Sequence, residues 1–170
     1  MADIQAKMKE AKFFLELLEA LEKRVDSLTN LESPSEEASF LLSAISNAFY
    51  SALDQWRKQN KSRQSQYQEF ARRYPEIYGS DRQGGWRNTT VHVSHVQVST
   101  AGYIPPPGNS VNFDFRDEPK LGPHYAPGAC NIRLGPQFYF SHGGKEIHAL
   151  EFCYEHFYAL QKFITEQGAA

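Results

Sequence analysis

Apolar residues recur three and four positions apart through much of the first sixty residues, and this periodicity limits the fold more than any later feature. From about Ile4 to Leu28, the residues Phe14, Leu17, Leu18, Leu21, Val25 and Leu28 share one side, with Glu and Lys on the other. That pattern predicts an amphipathic helix over about residues 3–29. Asn30 to Glu36 then reads as a turn with a helix start: Ser33 is the N-cap, Pro34 takes the first helical position, and Glu36 closes a capping box. A second helix follows over about 34–60, its wide apolar face made by Leu41, Ala44, Ile45, Ala48, Phe49, Ala52, Leu53 and Trp56. Because Ala44, Ala48 and Ala52 sit four apart, one strip of that face is small and lets another helix come close. Two long helices across a short loop make an antiparallel hairpin.

The spacing of Tyr67, Phe70, Ala71 and Tyr74 predicts a third helix over about 61–74, ending near Pro75. Arg57, Lys58, Lys61, Arg63, Arg72 and Arg73 crowd this stretch. They read either as a solvated helix face or as a local basic strip beside the residues that follow. Ile77 to Gly85 is a turn-rich connection. Beyond it Val91, Val93, Val96 and Val98 alternate with a slip at Ser94-His95, which fits a short helical turn through about His92 and an extended segment to Thr100. Ile104 to Asn109 is a rigid proline loop, and Val111, Phe113 and Phe115 alternate as a half-buried strand does. A second strand over Ile132 to Phe140 is interrupted at Gly135-Pro136. Ser141-His142-Gly143-Gly144 turns the chain into a last helix, over about 146–166, marked by Ile147, Leu150, Tyr154, Phe157, Leu160 and Ile164. The expectation is one mainly α domain over 1–170: an antiparallel bundle of four to five helices with a small antiparallel β insertion over about 93–144.

At 170 residues the chain is long enough to bury a core without staples. A net charge of −2 and a pI near 6.3 exclude a broad basic face, so any contact with nucleic acid has to be local. Cys130 and Cys153 lie in no metal-ligand spacing, and the start Met-Ala-Asp-Ile-Gln lacks the apolar core of a signal peptide. No apolar run approaches the roughly 20 residues of a membrane-spanning helix. These features predict a cytoplasmic protein with free thiols and no membrane partner.

Chemistry concentrates in Gly84-Gly85-Trp86-Arg87-Asn88-Thr89-Thr90-Val91-His92. An arginine is a permanent cation shaped to fork onto phosphate, and a histidine exchanges protons near neutral pH. Side by side in a cleft, Arg87 and His92 are equipped to hold a phosphodiester, take the proton from a ribose 2′-hydroxyl and stabilise the phosphorane, which is RNA cleavage without a metal. With nine Arg and six His in the chain such a spacing arises about once by chance, so the surroundings carry the case. The bland alternative ties Arg87 to a carboxylate and leaves His92 capping a helix end. His95 lies three residues after His92, but no cysteine is near and no H-E-x-x-H helix is present, so neither metal nor cofactor is expected. Trp86, Tyr74 and Tyr78 are rings that stack on bases in such sites, or serve as core. Cys153 falls on the apolar face of the last helix, where a buried, inert thiol is usual.

Phe40 to Ala52 in the alanine-rich second helix, Trp86-Arg87-Asn88-Thr89-Thr90-Val91-His92, and the closing aromatic helix together resemble the HEPN superfamily. The resemblance implies a compact helical bundle acting as a homodimer whose two motifs face one cleft. It further implies a metal-independent endoribonuclease of toxin or defence type, with RNA as substrate and an antitoxin or other protein as partner. By the same analogy His92 is the general base or acid, Arg87 the phosphate clamp and Asn88 the residue that orients them. Arg72, Arg73, Trp86 and His95 are then the candidate substrate-binding residues. The rival expectation is a noncatalytic HEPN-like module that holds a dimer or binds a nucleotide through the same residues.

Overall fold

The computed structural model describes residues 2–24, 27–31, 33–79, 85 and 137–168. Among these residues the chain is mainly helical, with a two-stranded antiparallel sheet ahead of the last helix. In chain order come α1 (Ala2–Glu22), α2 (Pro34–Gln59), a 3-10 turn (Lys61–Arg63), α3 (Gln64–Arg72), α4 (Pro75–Tyr78), β1 (Tyr139–His142), β2 (Lys145–His148) and α5 (Ala149–Gly168).

α1 packs along α2 and turns its core stripe through Ile4, Met8, Ala11, Leu15, Leu18 and Leu21. Phe14 and Leu17, expected in that stripe, are half-buried at its margin. The helix ends at Glu22, well before the expected residue 29, and a carboxylate explains why. Glu37 is buried in the first turn of α2 and accepts hydrogen bonds from Leu28 N at 2.7 Å, Thr29 N at 2.6 Å and the Thr29 hydroxyl. Those amides turn toward α2, where a continuing helix would have spent them on its own carbonyls. Ser33 caps α2 as expected: its hydroxyl accepts from Glu36 N, and Pro34 occupies the first position. The loop is gripped by Glu37, however, rather than by the Glu36 of the expected box.

α2 is the central helix and buries residues on several faces. Ala48 and Ala52 lie in the close-packed strip with Ala38, whereas Ala44 is only half-buried. Ser39, Ser43 and Ser46 are also buried, and the Ser43 and Ser46 hydroxyls donate back to the carbonyls of Ser39 and Ser43. Short side chains that satisfy themselves within the helix let neighbours approach without an orphaned polar atom.

The contacts of α5 fix its direction. Tyr154 meets Glu19 and His148 meets Glu22, so α5 starts where α1 ends and runs antiparallel to it. Phe157 packs near Phe49 and Phe163 near Trp56, so it runs parallel to α2. At its far end the Arg63 guanidinium donates to the Gln167 carbonyl. Burying each of Trp56, Phe49, Phe138 and Phe140 in the shared core contributes about 1.5–3 kcal/mol.

Two boundaries differ from the sequence reading. Pro75 opens the short α4 where the third helix was expected only to end, because proline is well suited to a first helical position. Lys145 to His148 form β2 where the last helix was expected to begin. Gly143 and Gly144 both have positive φ (58° and 76°), the conformation of a tight hairpin turn, and they return the chain along β1 with Phe140 opposite Ile147. The strand expected at Val111 to Phe115 and the break at Gly135-Pro136 lie outside the described residues.

Candidate functional site

The basic stretch before the motif is largely self-neutralised. Arg57 and Lys58 both bind Asp54, and Arg57 also lies over the Tyr67 ring, 5.2 Å from its centre. Burial alone would raise the Asp54 carboxyl, but the bonds from Lys58 and Arg57 hold it below the ordinary carboxylate value. Arg63 is spent on the end of α5, and Arg73 pairs with Glu69 one turn back. Arg72 differs: it is exposed and has no hydrogen-bond or ion-pair partner among the described residues. Of the two expected substrate-binding arginines at the end of α3, Arg73 therefore has a partner and Arg72 has none among the described residues.

Arg72 stands over a hollow of about 340 Å³ between α3 and α4. Tyr67, Gln68 and Ala71 contribute from α3, Pro75 and Tyr78 from α4, and Gly79 follows them at the edge. Gly85 is buried against the same edge. A β-carbon there would fall on the Gly79 peptide, 2.7 Å from its carbonyl carbon and 2.8 Å from its nitrogen, so only glycine permits this approach. Gly85 precedes Arg87 by two residues. Trp86, Arg87, Asn88, His92 and His95 themselves lie outside the described residues.

Behind the hollow is a buried histidine that the sequence reading did not single out. His156 of α5 is fully buried among Phe49, Phe70, Tyr74 and Tyr78, with its Nε2 2.9 Å from the Tyr78 hydroxyl. Burial pushes the imidazole down to about 3 and the Tyr78 phenol well above its ordinary value. Both groups are thus neutral across the physiological range. The other ring nitrogen, Nδ1, has no hydrogen-bond partner among the described residues. The Tyr74 and Phe49 rings stand steeply to the imidazole, at 75° and 70°, with centres 4.4 and 4.6 Å away. Ring faces at that range are weak acceptors for an N–H. Tyr78 is therefore a fixed wall of the hollow, anchored from within, and Tyr74 belongs to the core around His156. The signal was available in the sequence, since His156 follows Cys153 by three residues and precedes Leu160 by four on the apolar face of α5.

A second polar cluster joins α1 to the hairpin. Glu22 accepts from His148 Nε2 at 3.0 Å and from Phe138 N at 3.2 Å, and Glu19 accepts from the Tyr154 hydroxyl at 2.6 Å. Desolvation opposes the charged form of His148, but the bond to Glu22 and the charges of Glu22 and Glu151 outweigh it and raise the imidazole. Beside them Cys153 is fully buried, and desolvation raises its thiol far from the reactive range.

No protein-family model, curated protein or solved structure matches the chain. Among the described residues, no helix is long and apolar enough to cross a membrane.

Proposed function

We propose that the chain is a metal-independent endoribonuclease of toxin or defence type, working as a HEPN-like homodimer on RNA. Arg87 clamps the scissile phosphate, His92 takes the 2′-hydroxyl proton and returns one to the leaving 5′-oxygen, and Asn88 orients the pair. The supporting observation is the seating of Gly85 against Gly79. It ties the chain two residues ahead of Arg87 to the edge of the hollow that carries Arg72, the exposed last residue of α3. Gly85, two positions ahead of the proposed clamp, and the exposed Arg72 guanidinium then share one corner of the molecule. Local positive charge of this kind suits a chain whose net charge is −2.

The test is incubation of the purified protein with total RNA in EDTA beside His92→Ala and Arg87→Ala. Cleavage by the unaltered protein and loss of about a hundredfold or more in either variant is the expected result. Equal silence from all three favours the noncatalytic reading, a nucleotide-binding or interaction module, for which the hollow of about 340 Å³ is the supporting feature. Cleavage that appears only on adding a divalent metal overturns the mechanism. Dimerisation is read separately, from a solution mass twice the 19.4 kDa of one chain.

A further inference from the structure

We infer that the hollow between α3 and α4 holds one nucleotide of a single-stranded RNA, its phosphate on Arg72 and its base against the aromatic wall of Tyr67 and Tyr78. The inference rests on the ribonuclease reading and deepens it by saying where one nucleotide of the strand lies. Three observations carry it. Arg57, Arg63 and Arg73 each have a partner, whereas Arg72, on the hollow's lining, has no hydrogen-bond or ion-pair partner among the described residues. An exposed guanidinium matches a phosphate oxygen pair. The walls are rings that do not need to move: Tyr67 is backed by the Arg57 guanidinium, and Tyr78 is pinned by His156. A ring already fixed loses little further freedom when a base settles on it. The volume, about 340 Å³, is near the lower end of the range of small-ligand pockets, which suits one nucleotide and excludes a folded partner. Gln68, exposed on the same lining, supplies an amide for the edge of the base.

This arrangement recognises phosphate and a planar ring together, without choosing strongly among bases, since every base has a face to stack. His156 is a positioning residue here. It touches no ligand and acts by holding Tyr78.

The experiment is fluorescence anisotropy with fluorescein-labelled, 2′-O-methylated hexauridylate titrated with the full chain at several salt concentrations. The probe lacks the nucleophilic hydroxyl, so binding is read apart from cleavage. Arg72→Gln is compared with Lys12→Gln, which removes the same charge from an exposed i,i+4 pair on α1. Arg72→Gln is expected to weaken binding about tenfold or more and to lower the slope of log affinity against log salt by about 0.7, with Lys12→Gln close to the unaltered protein. Tyr67→Ala is expected to weaken binding about fivefold or more with little change of slope, and its thermal melt reports folding. Uridine 5′-monophosphate should displace the probe at lower concentration than inorganic phosphate. If Arg72→Gln and Lys12→Gln give the same affinity and slope, or if phosphate competes as well as the nucleotide, the inference is overturned. Loss of probe binding in Arg72→Gln by a protein that cleaves no RNA keeps the hollow and removes the ribonuclease reading. Cleavage with an unaffected Arg72→Gln does the reverse.

Discussion

At the scale of single residues, His156 shows how burial holds a polar group neutral in the core, with the Tyr78 hydroxyl as its hydrogen-bond partner. The unfolded imidazole takes up a proton near 6.5, and the folded one only near 3. Between those values the unfolded chain binds the extra proton. The stability contributed by keeping His156 neutral is therefore complete above about pH 6.5 and falls as the pH drops toward 3, with a slope of up to about 1.4 kcal/mol per unit. Tyr78→Phe should cost about 1–3 kcal/mol at pH 7 because it strands Nε2 in the core. The double variant Tyr78→Phe/His156→Phe removes both polar partners. It should recover much of that cost and flatten the acid-side loss, as read from urea midpoints between pH 7 and 4. A double variant that loses stability toward acid as steeply as the unaltered protein would contradict this account. Gly85 makes a complementary point, for there the missing side chain is what matters: its backbone approach to Gly79 leaves no room for a β-carbon.

Among the elements, the turn between α1 and α2 is governed by one buried carboxylate. Glu37→Gln keeps the shape but removes the charge that serves two amides and a hydroxyl, and about 2–3 kcal/mol should be lost in urea unfolding. Ser33→Ala, which removes only the cap, should cost about 1 kcal/mol. A smaller loss for Glu37→Gln than for Ser33→Ala would show that the cap, not Glu37, dominates. These elements also show what a sequence discloses. Leu18, Leu21, Ile45, Phe49, Leu53 and Trp56 announce two helices because burial and a 3.6-residue period coincide in them. The end of α1 is not announced, since it depends on Glu37, which is distant along the chain from the residues it stops and looks like any charged residue of a first turn. β2 was hidden for a related reason. Ile147 fits both a strand and the start of α5, and the positive φ of Gly143 and Gly144 decides between them. Of the candidate site, Arg72 was legible as a cation but not as the arginine left open, because that distinction comes from partners such as Glu69, Asp54 and Gln167. Arg87, Asn88, His92, Trp86 and His95 rest on sequence alone.

For the whole molecule, two histidines set opposite limits on stability. His148 is raised by Glu22 and Glu151 despite its burial, so its contribution is complete below about 6.5 and is lost as the pH rises through its folded value. Together with His156 this yields an optimum on the mildly acidic to neutral side. His148→Gln should flatten the decline on the alkaline side, as thermal melts from pH 6 to 9 would show, and an unchanged decline would place its cause elsewhere. The long reach of α5 has a further consequence. Tyr154 meets Glu19 across 135 positions, and Arg63 meets Gln167 across 104. Local pairing lets α1 and α2 associate as soon as both have been synthesised, whereas closing so large a span comes later. On the ribosome the slot destined for Cys153, Phe157 and Leu160 therefore stands open until residues 149–168 have emerged. During that interval the apolar faces of α1 and α2 that α5 covers lack that partner, and a chaperone can hold them.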